Sequence, residues 1–288
     1  MTRSTAIAER ECPVDDLAGL RAIAALVADE VDPRPVADRR GSERQRLTRL
    51  GETLQDRLAP PPVPEVPGMQ AAAYYRPAHG EPVGGDFYDV FPLDDGSWGM
   101  FLGDVVGKGS GAAALTALTR YTLRTASTLD RGPAHALARL NTILTDGLRD
   151  DVLLCTATVA RLRPPTRPGG PASVVVASAG HPAPIVTRRG HARPVDCTGL
   201  IAGCLPGADY RVVEVRLEPG DALVFYSDGV TDAKLGGDRL EVEGLCRVLR
   251  GATGSTAPAV VHRLERLLTG AAADVPDDAA ALVVSVPA

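Results

Sequence analysis

The chain has 288 residues, 44% of them hydrophobic, and a net charge of -5 with histidine neutral. That is enough for one large core plus an appendage, and an acidic balance without a long basic run argues against binding to nucleic acid or to an anionic membrane. No apolar stretch reaches the length of a membrane span, and the polar start Met1–Cys12 lacks the apolar core of a signal peptide, so a cytoplasmic location is expected.

After a loose tail, Asp15 or Asp16 can cap a helix running to about Val31. Its apolar positions Leu17, Leu20, Ala24, Val27 and Val31 alternate steps of three and four, and Pro33 and Pro35 end it. A second helix, from about Ser42 to Leu58, lines up Leu47, Leu50, Leu54 and Leu58 before Pro60-Pro61-Pro62 stops it. Neither helix is long enough to be stable alone. Packing on the main domain and pairing with a second chain account for these faces equally well. Residues 1–62 are therefore read as a helical extension and linker, and 63–288 as the main domain.

From Met69 the apolar period changes to two. Gln70–Tyr75 reads as a strand, and Val83–Leu93 and Trp98–Val106 as a hairpin turned by Asp94-Asp95-Gly96-Ser97. Two helices follow, Ala112–Leu129 and Pro133–Leu148, then strands at Leu153–Leu162, Ala172–Ala179 and Ala183–Thr187. Residues 188–209 read as irregular. Tyr210–Leu217 and Ala222–Tyr226 are expected to form a second hairpin around Glu218-Pro219-Gly220-Asp221. Short helices at Val242–Leu249 and Ala257–Leu268 and a last strand at Ala280–Val286 complete the chain. Hairpins interrupted by paired helices suggest stacked antiparallel sheets with helices outside.

Four aspartates stand where a strand pattern meets a break: Asp86 after Gly84-Gly85, Asp104 after Gly103, Asp228 before Gly229, and Asp277 in Pro276-Asp277-Asp278. Any one of them alone reads as a turn or cap residue. Four in similar settings suggest that they converge, since hard divalent ions prefer carboxylate oxygens. Two such ions a few ångströms apart acidify water and neutralise charge on a transferring phosphoryl group. Spacing alone does not name the reaction.

The ordered set Gly84-Gly85-Asp86-Phe87-Tyr88-Asp89, Gly103-Asp104-Val105-Val106-Gly107-Lys108-Gly109, Ser178-Ala179-Gly180-His181-Pro182, Ser227-Asp228-Gly229 and Asp277-Asp278 closely resembles the metal-dependent protein phosphatases of type 2C (PPM), and more narrowly their bacterial SpoIIE/RsbU-type branch. The resemblance covers about Leu54 to Val286. It implies an α+β fold, an αββα sandwich of two antiparallel sheets flanked by helices. It also implies hydrolysis of phosphoserine or phosphothreonine with two Mn²⁺ or Mg²⁺ ions, on a phosphorylated anti-anti-sigma factor of the STAS fold. Carried over residue by residue, Asp104 would bridge both ions, the Val105 carbonyl would bind one, Asp228 and Asp277 would complete one site, and Asp86 would serve the other. Asp89, Asp278 and Lys108 receive no firm role. His181 invites the part of general acid, but Ala-Gly-His-Pro reads more like a turn that fixes a strand. Ala280 stands where relatives often carry Thr or Ser, and Asp232 where they often carry Glu. The alternative is a non-catalytic module that holds a sigma-factor regulator. The leucine faces at 17–31 and 47–58 suggest a homodimer or a docked partner.

Two other motifs are decoys. Cys155–Arg161 matches the Cys-x5-Arg spacing of cysteine-dependent phosphatases, but it lacks glycine and alternates like a strand. Gly107-Lys108 lacks the first glycine and the Ser/Thr of a nucleotide P-loop. The five cysteines, odd in number and without a Cys-x-x-Cys pair, read as small buried hydrophobes.

Overall fold

The computed structural model describes residues 60–78, 84–107, 109–129, 132–146 and 153–288, all within the second of the chain's two units, Leu54–Ala288. The helices expected at 15–31 and 42–58, with the dimer or docking faces placed on them, lie outside the described residues, as does Lys108.

Two five-stranded antiparallel sheets form the scaffold. The first runs β1 (Gln70–Arg76), β13 (Ala279–Ser285), β9 (Ala222–Tyr226), β6 (Ile185–Arg188), β7 (His191–Pro194). The second runs β2 (Asp86–Pro92), β3 (Trp98–Val105), β4 (Cys155–Arg163), β5 (Ala172–Ala179), β8 (Val212–Leu217). A small sheet joins β10 (Lys234–Leu235) to β11 (Asp238–Arg239) and β12 (Ala273–Asp274). The helices are α1 (Gly109–Ser127), α2 (Gly132–Asp146), α3 (Asp228–Asp232), α4 (Glu241–Arg250) and α5 (Ala257–Leu268).

Strand alternation sorts the side chains into three apolar layers. Val90, Met100, Leu102 and Val176 of the second sheet meet Leu223, Phe225, Leu282 and Val284 of the first in the central layer. The opposite faces are covered by helices. Phe87, Phe91 and Phe101 pack on Leu123, Leu137 and Leu140 of α1 and α2. Val224, Tyr226 and Val283 pack on Leu245, Leu249, Val260 and Leu264 of α4 and α5. The order is helix, sheet, sheet, helix, as the sequence led us to expect.

The hairpin at 94–97 is present: the Leu93 amide donates to the Ser97 carbonyl at 2.8 Å, and Gly96 takes a positive φ of 76°. The second expected hairpin is not. β8 pairs with β5, whereas β9 pairs with β13 and β6, so Glu218–Asp221 carries the chain from one sheet to the other. The turn itself is real, the Asp221 amide reaching the Glu218 carbonyl at 2.9 Å, but the Gly220 amide donates to Val286 beyond the end of β13. The two strands differ accordingly: β9 is buried throughout, while β8 alternates exposed and half-buried positions as an edge strand does. Residues 188–209, expected to be irregular, contain β7. Cys155, Cys197 and Cys246 are buried, but Cys204 is exposed, against the reading of all as core residues.

Candidate metal centre

The rows of the central layer show where the site comes from. On β2, Asp86 shares its face with Tyr88 and Val90; on β3, Asp104 shares its face with Met100 and Leu102. Asp86 and Asp104 are register partners at the open end of the hairpin. They therefore continue two apolar rows past the point where the interior of the sandwich stops being apolar. On β4, Thr156 pairs with Asp104 in the same register. From the facing sheet, Ser227 follows the end of β9, Asp228 opens α3, and Asp277 and Asp278 lead into β13.

Hydrogen bonds fix this end of the sandwich. The Ser227 hydroxyl donates to Asp86 Oδ2 at 2.6 Å and accepts from the Ala280 amide at 2.9 Å, tying the two sheets together. As N-cap of α3, Ser227 makes no capping bond, because its hydroxyl is engaged with Asp86. Asp278 accepts from the Ala78 and Gly85 amides, each at 2.6 Å. The Gly84 amide donates to the Tyr75 hydroxyl at 2.9 Å. Gly85 needs to be glycine: a Cβ there would overlap Asp104 Oδ1 and lie 2.8 Å from the Val105 carbonyl oxygen.

Electrostatically the carboxylates disturb one another. Burial, then Asp104, raises the pKa of Asp86 well above the carboxylate range. Burial, then Asp228, Asp277 and Asp278, pushes Asp104 up to about 7. Burial, then Asp232 and Asp277, raises Asp228. The charged groups that weigh most on Asp104 are all carboxylates. Of the four aspartates singled out in the sequence, Asp104 thus feels Asp228 and Asp277, and Asp86 feels Asp104 and Asp228. Among the described residues no group of three or more acidic, histidine or cysteine side chains is placed to hold a metal ion. In chemical type the donors, carboxylates and the Val105 carbonyl, are those a hard cation takes.

Three other residues fall differently from the motif. Asp89 has the opposite parity to Asp86 and faces α1, where it pairs with Arg124 at 2.8 Å and Arg120 at 3.7 Å. Asp278 uses both carboxylate oxygens as a backbone clamp. His181 is buried, with Nδ1 2.8 Å from the Thr156 hydroxyl and its carbonyl accepting from Ser178 Oγ at 3.0 Å. Burial pushes its pKa down to about 3, against a weaker opposing pull from the Tyr226 backbone, so the ring is neutral at ordinary pH. Gly180 before it has a φ of +68°, which suits a turn. Cys155 is buried on β4 and burial drives its thiol pKa upward, which leaves no thiolate for nucleophilic attack. Sequence reasoning missed Ser227 and Thr156. Both have the parity of the central layer, which is the signal that could have found them.

Comparison with known proteins bears on this arrangement. The family model described as Stage II sporulation protein E (SpoIIE) matches residues 94–287. Protein IcfG of Synechocystis sp. is 29% identical over 234 residues, covering 74% of this chain and 35% of its own. Phosphoserine phosphatase RsbU of Bacillus subtilis is 25% identical over 217 residues, covering 75% of this chain and 62% of its own. The crystal structure of the RsbU and RsbW domains of Rv1364c from Mycobacterium tuberculosis superposes with a TM-score of 0.62 at 27% identity, over 78% of this chain and 62% of that one. The chain thus spans less than two thirds of the length of each of these relatives.

Proposed function

The chain belongs to the SpoIIE family, the bacterial SpoIIE/RsbU branch of the type 2C protein phosphatases, and from that premise we propose that it hydrolyses phosphoserine or phosphothreonine on a phosphorylated STAS-domain anti-anti-sigma factor and so regulates a sigma factor. The observation that supports the reading is electrostatic: besides burial, Asp104 and Asp228 raise the proton affinity of Asp86, and Asp228 and Asp277 raise that of Asp104, across the facing sheets.

In this reading Asp104, the Val105 carbonyl, Asp228, Asp277 and Asp86 would hold two divalent ions, Mn²⁺ or Mg²⁺. Such ions, when bound, supply an acidified water and neutralise charge building on the phosphoryl oxygens. The chain's own work is positioning. Ser227 holds Asp86 by one oxygen. Asp278 and Tyr75 pin the Gly84-Gly85 turn. Gly85 leaves room for the Asp104 and Val105 oxygens. His181 is a turn residue, since a ring that stays neutral down to low pH is a poor proton donor to a leaving alkoxide. Buried Cys155 takes no part.

No described helix is long and apolar enough to cross a membrane, and in this reading the protein acts in the cytoplasm. Residues 1–62 form the regulatory extension and 63–288 the phosphatase domain, with self-association or docking through the leucine faces at 17–31 and 47–58. The decisive assay is Mn²⁺-dependent release of phosphate from phosphoserine STAS proteins of the same genome. The full chain is expected to be active and Asp104→Ala inactive; equal activity in both would remove the metal mechanism and leave the non-catalytic reading.

A further inference from the structure

β5 stops at Ala179, opposite Ala157, and leaves the first residues of β4 without a partner on that side. The segment 199–205 takes the vacated edge: Cys155 and Ala202 exchange both backbone hydrogen bonds, each at 3.0 Å. On its other side Cys155 pairs with Val105, and the Val106 amide donates to the Leu154 carbonyl at 3.1 Å. The segment therefore stands two strand spacings, about 10 Å, from Asp104-Val105. It is held from behind. Buried Asn141 of α2 accepts from the Gly203 amide and donates to the Leu205 carbonyl, each at 2.9 Å. Gly203 takes a φ of +88°, and a Cβ there would overlap the Leu153 carbonyl oxygen.

The leucines of this anchored segment are exposed. Leu200, Leu205 and the exposed Val106 make up three of the seven large hydrophobic side chains exposed among the described residues. Residues 197–208 carry no charge, whereas the twelve residues 228–239, which follow from the other sheet, carry five. Single exposed hydrophobics need no explanation, but a group of them around one site marks a contact surface.

Resting on the phosphatase reading, we propose that this uncharged rim is the docking surface for the substrate as a folded protein: Val106, Leu200 and Leu205 meet an apolar surface around its phosphoserine. A phosphoseryl side chain is short, so a phosphoryl group that reaches Asp104 brings the polypeptide carrying it down onto the rim. The occupant is the substrate and not a second copy, which would close the carboxylates to any substrate. A segment already fixed by Asn141 loses little freedom on binding, so more of the apolar contact is realised as affinity. A short phosphopeptide brings the phosphoserine without that surface and forgoes most of the contact.

The test uses the full chain with Mn²⁺ and three substrates: phosphoserine STAS proteins of the same genome, short peptides carrying the same phosphoserine, and p-nitrophenyl phosphate. Combining Leu200→Ser with Leu205→Ser should lower kcat/KM on the folded phosphoprotein by about tenfold or more, chiefly through KM, as loss of interface anchors does. Hydrolysis of the peptide and of p-nitrophenyl phosphate should stay within about twofold, as should KM for the folded phosphoprotein in Val212→Ser, an exposed residue on β8. If the double variant fails to fold by circular dichroism, each single variant should still raise KM several-fold. An unchanged KM on the folded phosphoprotein, an equal loss on p-nitrophenyl phosphate, or an equal loss in Val212→Ser would overturn the docking surface. Failure of the phosphatase reading shows separately, as absence of Mn²⁺-dependent hydrolysis of all three substrates. Affinity for the phosphorylated STAS proteins, read by fluorescence anisotropy, then decides the surface alone: tighter binding by the wild type than by the double variant supports it, and equal or absent binding overturns it.

Discussion

One hairpin carries carboxylates at both of its ends, and the two ends are electrostatic opposites. At the turn, Asp95 accepts from the Ser97 amide at 3.1 Å and from the Ser97 hydroxyl, and it pairs with Arg161 at 2.8 Å. The Ser97 hydroxyl first, then Arg161, holds its pKa well below the usual carboxylate range. At the open end, Asp86 and Asp104 are shifted the other way, by burial first and then by other aspartates. The residue type is the same; burial and neighbours differ. The turn end is completed by the chain's own donors and contributes structure. The open end gathers like charge in a partly buried place, an arrangement that lowers stability and makes it the candidate site.

The comparison breaks most directly by removing one carboxylate from each end. Asp104→Ala should lower Mn²⁺-dependent phosphatase activity by about a thousandfold, the scale of losing a principal electrostatic element of an active site. Asp95→Ala should leave activity within about twofold and cost about 0.5 kcal/mol in denaturant unfolding, as a solvent-screened pair does. Comparable activity in the two variants would erase the distinction between the ends.

A second pair sharpens it through glycines. At the open end, a Cβ on Gly85 would collide with the Asp104 carboxylate and the Val105 carbonyl oxygen. Near the turn, a Cβ on Gly99 would lie 2.5 Å from the Phe91 ring, which is buried under α1 and α2. Gly85→Ala should therefore reduce Mn²⁺ affinity by about 10- to 100-fold in a calorimetric titration, the range for disturbing the support of a metal ligand. Gly99→Ala should leave that affinity alone and lower stability by about 1–3 kcal/mol, the cost of overpacking a core.

The two hairpin readings show how much the sequence carries. Asp94-Asp95-Gly96-Ser97 and Glu218-Pro219-Gly220-Asp221 are equally good reversal signals, and both are turns in the structure. A turn, however, reports only that the chain reverses. Whether the next strand pairs with the last or crosses to the facing sheet depends on which layer its side chains fill. β9 is buried on both faces and so joins the middle of a sheet, away from β8. The two- and five-residue elements β10, β11, β12 and α3 are too short for a periodic signal. Within the site, Asp86 and Asp104 were legible because glycines and strand ends flank them. Asp89 was separable by period alone, three residues from Asp86 and hence on the other face. The clamp made by Asp278 was not legible: its partners, the amides of Ala78 and Gly85, are about 200 residues away, at separations of 200 and 193.

The smallest expected effect is on the pH dependence of stability, and its sign separates the two ends. Asp104 has a native pKa of about 7 against an ordinary 3.8. Its protonated form is favoured by folding, so its contribution is fully present below the unfolded value and is lost as pH rises through 7. Asp95 is shifted down, so its smaller, screened contribution is present above its unfolded value and lost only in acid. Between pH 5.5 and 8 the turn end is therefore silent, but buried His181, held down to about 3, adds stability as pH rises through its unfolded value and opposes Asp104. The Asp104 contribution is the difference from Asp104→Asn, whose amide carries no charge at either pH: in EDTA the wild type should lose about 3 °C of melting temperature relative to that variant across the window. Asp95→Asn should leave the wild-type profile unchanged. Manganese at about 100 times its dissociation constant should add about 2.7 kcal/mol to the wild type at pH 8. Its effect should be smaller at pH 5.5, where protons compete for the same oxygens. Wild-type and Asp104→Asn profiles that run parallel in EDTA would mean that the Asp104 carboxylate is already balanced by the chain, as Asp95 is.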